Sequence, residues 1–500
     1  MAKDRRQASS PSSRGASVCI VVVSRERWSP YAHQSNHHCV DAGRRGAGRR
    51  RRCPPHVPGP GEPLRSPDPR RPSRARDTPS HTMSHMSPIR PMRTSFHHRA
   101  LRLAPIAALA AAHFAQPAFA DAPSWRAPEA DNLRNHVQIT FPDRFSRAGE
   151  AYFSPDTRWI IFQATPRAGD DQAPPNPHFS MYVAKLERND AGRITGIEEP
   201  ILISPPGSAN TCGFFHPKHH HRVIFGSTLT PPEEQARAGY QRGASRYVWQ
   251  FPPEMQIVTR TVLPIFHDLH GEPQEGDFTV GWGEDAKAPQ PLWTRHGYDA
   301  ECAYSPDGRF IVYTAIDEET GDGSIRIYDT KTDRSWPVVT ASGYDGGPFF
   351  SPCGRRICYR SDRKGNNLLQ LFVADLEFDA DGVPIRVKTE HQLTNNRHVN
   401  WAPFWHPDGE HLVYASSEAG HDNYEVFSIE APAYGAEADS ELHTRLTPRR
   451  ITHAPGFDGL PVFNTDGDLM MWTSQRGGLH ADDERPSSQV WIAEVVNTAP

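Results

Sequence analysis

The chain has 500 residues and a net charge of −4, but that charge is unevenly spread: residues 1–100 carry +14 and residues 101–500 carry −18. Mean hydropathy of −0.65 excludes a multi-span membrane protein, and 48 Pro with 37 Gly beside only 7 Cys exclude a disulfide-stapled mini-protein while demanding many turns. An acidic main body also excludes nucleic acid and anionic membrane surfaces as partners, since both need a positive field.

Residues 1–91 are rich in Arg, Pro, Ser and Gly, as in Arg49 to Arg52 and Pro67-Asp68-Pro69-Arg70-Arg71-Pro72. Such a segment has too few apolar residues to offset its ordering entropy, so a disordered leader is expected. Downstream, Arg93, Arg99 and Arg102 precede the apolar run Leu103 to Ala112, and Ala118-Phe119-Ala120 offers small residues for cleavage before Asp121. That pattern is a signal peptide over residues 92–120, which implies that the biological start is Met92 or Met86. The run is too short for a convincing transmembrane helix. The expected mature chain is residues 121–500, exported to the periplasm or beyond, with no membrane span. Export permits disulfides among Cys212, Cys302, Cys353 and Cys358, but their positions match no framework and free thiols are equally compatible.

Self-similarity organises the rest. A turn motif of the Ser-Pro-Asp-Gly type recurs six times, beginning at Ser154, His216, Ser305, Ser351, His406 and Asn464. An apolar pair precedes each motif, and a β-rich run follows it, as in Phe310-Ile311-Val312-Tyr313 and His411-Leu412-Val413-Tyr414. Pro fixes φ at the second turn position and Asp-Gly tolerates the reversal, so each unit reads as strand, turn, strand. A third strand follows, for example Leu371 to Ala374. A fourth ends in an apolar residue plus Thr or Ser: Ile139-Thr140, Ile203-Ser204, Trp293-Thr294, Val339-Thr340, Leu393-Thr394 and Ile451-Thr452. From that Thr or Ser to the next turn motif the offsets are 14, 12, 11, 11, 12 and 12 residues.

The order of these elements fixes the architecture. The chain opens on a fourth strand and ends, at Val490 to Val496, on a third strand with no fourth. An all-β, six-bladed β-propeller of four-stranded blades is therefore predicted, closed when the N-terminal strand His136 to Phe141 pairs with the last blade. Spacing between turn motifs is 89 residues across the second unit against 46 for the next, which places an insertion at about residues 227–291.

Gly297-Tyr298-Asp299-Ala300-Glu301, Gly343-Tyr344-Asp345-Gly346-Gly347, Asn400-Trp401-Ala402-Pro403 and Gly456-Phe457-Asp458-Gly459, each leading into its turn motif, resemble the bacterial exported TolB-like (WD40-like repeat) β-propeller family. The resemblance covers residues 132–496. It implies a six-bladed propeller in the cell envelope and a family that includes the periplasmic Tol–Pal component. Residues 121–135 are too few for the additional N-terminal α/β domain that TolB itself carries.

Six positions before each turn motif lie Ala148, Asn210, Asp299, Asp345, Asn400 and Asp458. They open the innermost strands, so the Asp and Asn residues are expected at one mouth of the central channel. Such a set either binds a hard cation, with Ca²⁺ on Asp299, Asp345 and Asp458, or receives a partner's basic peptide, or caps its own turns. His219-His220-His221 reads as exposed loop, and His216 and His406, standing where other units have Ser, read as structural. His267-Asp268-Leu269-His270 with Glu272 could ligate a metal but reads as surface. No Gly-x-Ser-x-Gly nucleophile elbow and no phosphate loop occur in residues 121–500. The leading expectation is a monomeric binding or scaffold module that takes an envelope protein, peptide or glycan at the channel mouth. The alternative is a metal-dependent, lyase-like enzyme acting on carbohydrate.

Overall fold

The computed structural model describes residues 125–167, 176–233, 241–243, 246–248, 252–262 and 288–500. The expected leader (1–91) and expected signal peptide (92–120), the His267–His270 segment and most of the expected 227–291 insertion lie outside the described residues.

The described chain enters through a short helix, α1 (Arg126–Glu129), and a strand, β1 (Leu133–Gln138). Blade 1 comprises β2 (Phe145–Phe153), β3 (Trp159–Pro166), β4 (Ser180–Arg188) and an outer strand in two pieces, β5 (Ile194–Ile197) and β6 (Ile201–Leu202). Blade 2 comprises β7 (Asn210–Phe215) and β8 (Arg222–Ser227), then a separate hairpin, β9 (Gln241–Gly243) with β10 (Arg246–Val248), before β11 (Gln256–Thr261) and β12 (Gln290–Pro291). Blade 3 is β13 (Asp299–Tyr304), β14 (Phe310–Ile316), β15 (Gly323–Asp329) and β16 (Arg334–Val339). Blade 4 is β17 (Asp345–Phe350), β18 (Arg356–Ser361), β19 (Gln370–Phe378) and β20 (Pro384–Gln392). Blade 5 is β21 (Asn400–Trp405), β22 (His411–Ser416), β23 (Glu425–Glu430) and β24 (Arg449–Arg450). Blade 6 has only three strands of its own, β25 (Asp458–Phe463), β26 (Leu469–Ser474) and β27 (Gln489–Val495), and β1 supplies its fourth. Every innermost strand packs on the next, and β25 returns to β2, so the ring closes. The expected propeller is observed. No helix among the described residues is long and apolar enough to cross a membrane.

Local chemistry explains why each repeat folds alike. The turn-motif hydroxyl accepts the backbone N–H that starts the second strand: Ser154 Oγ from Trp159 (2.9 Å), Ser305 Oγ from Phe310 (2.9 Å) and Ser351 Oγ from Arg356 (3.1 Å). Asn464 Oδ1 does the same for Leu469 at 3.0 Å. At the outer edge the recurring Thr or Ser accepts an N–H of the third strand or of the residue that opens it, as Thr140 Oγ1 does from Val490 (2.8 Å), Thr394 Oγ1 from Leu371 (2.9 Å) and Thr452 Oγ1 from Val426 (2.8 Å). The fourth strand thus docks by a side-chain bond where its ladder runs out. Second strands carry a buried apolar middle, as in β22, where Leu412, Val413, Tyr414 and Ala415 are all fully buried.

Closure differs from expectation at its edges. Strand β1 starts at Leu133 and stops at Gln138, with Leu133 opposite Val495 and Gln138 opposite Trp491. A bulge between Arg134 and Val137, with Asn135 at φ 52°, absorbs the offset. Ile139 and Thr140 still bond Val490, but Phe141 leaves the sheet before Pro142 and is exposed. Helix α1 adds a lock invisible in the repeat. Its Glu129 accepts from Arg476 (2.8 and 3.1 Å), from His136 (2.8 Å) and from the His453 N–H (2.7 Å). Arg476 also reaches Asp458 at 2.6 Å and lies over the Trp125 and Trp472 rings. Burial pushes the Glu129 carboxyl up, but these partners outweigh it and hold the group below the usual range.

Removing one member of such a buried set leaves a charge without compensation. Glu129→Ala is expected to cost about 3–5 kcal/mol, read as a lower urea midpoint at unchanged slope. Deleting residues 125–138 exposes the β27 edge and is expected to produce concentration-dependent association in sedimentation velocity; unchanged unfolding and sedimentation would refute the closure role.

Candidate functional site

Five of the six residues that stand six positions before the turn motifs are anchors, Ala148 being the exception. Asn210, Asp299, Asp345, Asn400 and Asp458 are all at most 3 % exposed. Asp299 accepts from Trp293 Nε1 (2.8 Å) and from Arg295 (3.1 and 2.5 Å), and Asp345 from the Ala341 N–H (2.8 Å) and Arg363 (3.1 Å). Asp458 accepts from Trp472 Nε1 (3.2 Å) and Arg476 (2.6 Å). Asn210 donates to Phe179 O and Ser208 O, while Asn400 donates to Gln370 and Asn396 and accepts from Ser416. The three carboxylates are not brought together: each is held by an arginine next to its own blade's strands. A Ca²⁺ ion at any of them would have to displace that guanidinium.

The residues that do converge stand two positions further on. Every innermost strand breaks register there, between Gly149 and Ala151, Thr211 and Phe214, Ala300 and Ala303, Gly346 and Phe349, Trp401 and Phe404, and Gly459 and Val462. The bulged residue is left-handed in all six: Glu150 (φ 42°), Cys212 (54°), Glu301 (55°), Gly347 (59°), Ala402 (51°) and Leu460 (55°). Only glycine takes this conformation freely, so five of the six positions hold backbone strain that the flanking sheet enforces.

Bulging turns four of these residues into a polar cluster across blades 1 to 4. Glu150 Oε1 accepts from Cys212 Sγ (2.9 Å) and Tyr152 Oη (3.4 Å), and its Oε2 accepts from Thr211 Oγ1 (3.3 Å). Glu301 accepts from Arg360 (2.7 Å), Tyr344 Oη (2.5 Å), Thr314 Oγ1 (2.7 Å) and the Gly347 N–H (2.7 Å). Burial pushes the Glu150 carboxyl up, and the like charge of Glu301 adds to the rise, against the pull of the Cys212 bond and of Arg360. Burial likewise pushes the Cys212 thiol well up. Arg360 is 7 % exposed, and its Nε–H has no acceptor.

Two residues beyond the bulge, in blades 1, 2, 4 and 5, aromatic rings meet around the axis. Tyr152 of blade 1 meets Phe214 (5.4 Å between centroids), Phe349 of the opposite blade 4 (5.8 Å) and Phe404 (6.3 Å). Phe349 and Phe404 meet edge to face at 5.0 Å. The polar cluster therefore lies directly above an aromatic floor.

The remaining sequence candidates fall elsewhere. His216 Nδ1 accepts the Lys218 and His219 N–H groups at 3.1 Å, replacing the serine of other blades. His220 pairs with Asp156 at 3.3 Å. All four described cysteines are free. Glu150 and Glu301 were absent from the sequence candidates, although a carboxylate in the middle of a short innermost strand, as in Asp-Ala-Glu-Cys-Ala-Tyr, was an available signal.

The strand order and the closed ring define a six-bladed β-propeller. Among solved structures the chain is similar to a putative TolB from Agrobacterium tumefaciens, at 13 % identity, covering 69 % of this chain and 90 % of that one, with a TM-score of 0.40. TolB from Acinetobacter baumannii is similar at 14 % identity, covering 71 % of this chain and 65 % of that one, TM-score 0.39. An oligogalacturonate lyase from Vibrio parahaemolyticus follows at 11 % identity, 71 % and 92 % coverage and TM-score 0.37. No protein-family model and no curated protein matches the sequence.

A carboxyl whose folded pKa lies above its unfolded value holds its proton more tightly in the native state. Stability from Glu150 is then full below the ordinary glutamate range and is lost as the pH rises through the raised value, at up to about 1.4 kcal/mol per pH unit. Glu150→Gln stays neutral, so its unfolding free energy is expected to fall less between pH 4.5 and 8 than that of the wild type. Parallel pH curves would show that folding does not raise the Glu150 pKa.

Proposed function

We propose that the protein is an exported binding module that takes a basic side chain of an envelope protein or peptide into the mouth of its channel. The observation carrying this reading is the imbalance at the bulge layer: two carboxylates, Glu150 and Glu301, act on one another beside a single guanidinium, and only Glu301 bonds to it. Glu150 has neutral donors alone. An incoming ammonium or guanidinium favours its ionised form, so binding expels a proton. The orphan Arg360 Nε–H calls for an acceptor, which a peptide carbonyl supplies. The aromatic floor stops the ligand at this depth, and the acidic body steers a cationic partner toward it.

Titration calorimetry with short Lys- or Arg-containing peptides, repeated in buffers of different ionisation enthalpy, tests this. Wild type is expected to bind with net proton release across a pH series from 4.5 to 8; Glu150→Gln is expected to lose that release and at least about tenfold in affinity, the measure of one charge-assisted contact. Equal binding of acidic peptides, or no proton linkage, would defeat the reading.

A further inference from the structure

On the turn between β21 and β22 of blade 5 lies the group His406, Asp408 and His411, whose ligand atoms are all within 4.8 Å of one another. Among the described residues it is the one such set of His, Cys, Asp or Glu. Asp408 Oδ2 stands 3.0 Å from His406 Nδ1 and 3.1 Å from His411 Nδ1.

Comparison within the repeat shows what is unusual here. The first residue of the turn motif uses its side chain as a hydrogen-bond acceptor for the turn's own backbone, as Ser154, Ser305 and Ser351 do with oxygen. His216 does so with Nδ1, at 3.1 Å from two backbone N–H groups, so that nitrogen presents a lone pair and the proton belongs on Nε2. His406 repeats the arrangement: its Nδ1 accepts the Asp408 N–H at 3.3 Å. The same nitrogen then faces a carboxylate oxygen at 3.0 Å. Two acceptors at that distance repel unless a proton or a metal ion lies between them.

We infer that this hairpin is a divalent transition-metal site, with His406 Nδ1, His411 Nδ1 and Asp408 Oδ2 as ligands and water completing the shell. Two imidazoles and one carboxylate suit Zn²⁺ or Co²⁺ rather than Ca²⁺, which demands oxygen. The hairpin is set before metal arrives, since His406 N bonds His411 O at 3.0 Å and Gly409 takes φ 69°, so little chain entropy is lost on binding. Thr498 Oγ1, 3.3 Å from His411 Nε2, orients the second imidazole from behind, as outer partners of metal-bound histidines do. Asp408, at 39 % exposure, leaves a path for the ion. The two rings stack at 4.3 Å and 18°, and the single Nδ1 lone pair of His406 serves the Asp408 N–H at 3.3 Å, so metal binding requires His406, the more exposed of the pair, to turn out of the stack and give up that long bond. The site is separate from the bulge-layer cluster and shares no residue with it.

Full-length protein, stripped with chelator, is titrated with Zn²⁺ and Co²⁺ and followed by calorimetry, thermal unfolding and the visible Co²⁺ spectrum. Wild type is expected to bind one equivalent more tightly than the rest and to unfold at a higher temperature with metal. His406→Ser, which restores the residue found in blades 1, 3 and 4, and Asp408→Asn are each expected to weaken that equivalent at least about tenfold and remove its spectrum. The His219–His221 run contributes equally to all three proteins. Identical titrations in wild type and both variants, with folding intact by circular dichroism, would overturn the site and leave a shared proton between His406 and Asp408 as the explanation of their contact.

Discussion

The ring exists because its first described strand is also part of its last blade. Pairing of β1 with β27 converts six sheets, each able to pack only on its neighbours, into a closed structure with no terminal blade to peel away. The hydrogen bonds of that seam are ordinary; its distinguishing interaction is the buried set Glu129, Arg476 and Asp458, walled by Trp125 and Trp472. Blade 4 shows the same arginine in miniature, where Arg363 joins Asp345 to Glu390 of its own fourth strand. In blade 6 the fourth strand arrives from the other end of the chain, and α1 brings the carboxylate with it. A buried ion set contributes less to net stability than to register, because only the correct pairing neutralises it.

From closure follows the geometry at the axis. Each innermost strand is pinned at its first residue by an Asp or Asn whose partners lie at the strand ends around it, with Ala148 the exception in blade 1. Pinning one end while the apolar pair before the turn packs at the other leaves the mismatch to be absorbed between them, and the bulge does this in blades 2 to 6, while blade 1 carries the same bulge without the pin. The polar layer and the aromatic floor are therefore consecutive products of one strand, spaced two residues apart. A hydrophobic floor removes water from under Glu150, which adds to the burial that pushes its carboxyl up.

The repeat was legible because its signals are local. Ser-Pro-Asp-Gly fixes a turn wherever it stands, and the Thr or Ser that ends the fourth strand bonds its neighbour through one side chain. Blade number and the sharing of the last blade followed from order alone. What escaped was long-range or dependent on an inserted residue. Glu129 and Arg476 are 347 positions apart and nothing in either neighbourhood announces the other. The bulge shifts the two-residue alternation by one, so a count from the turn motif selects Asp299 or Asp345, whereas the chemistry collects at Glu301 and Gly347. His406 was read as structural from its place in the turn, a role its Nδ1 does perform; the proximity of His411 needs the hairpin's three-dimensional pairing to be seen.

Six left-handed residues at one level of the ring also limit which amino acids can be written there. A branch at Cβ makes that conformation still more costly, and the observed set of Glu, Cys, Glu, Gly, Ala and Leu contains no Val, Ile or Thr. The scaffold thus offers an alphabet for recognition, six letters long and missing its β-branched characters. Gly347 is the one fixed letter, because a Cβ there would run into the Arg360 guanidinium; the others stand apart from the turn motifs, so a new specificity costs this architecture a spelling change rather than a new fold.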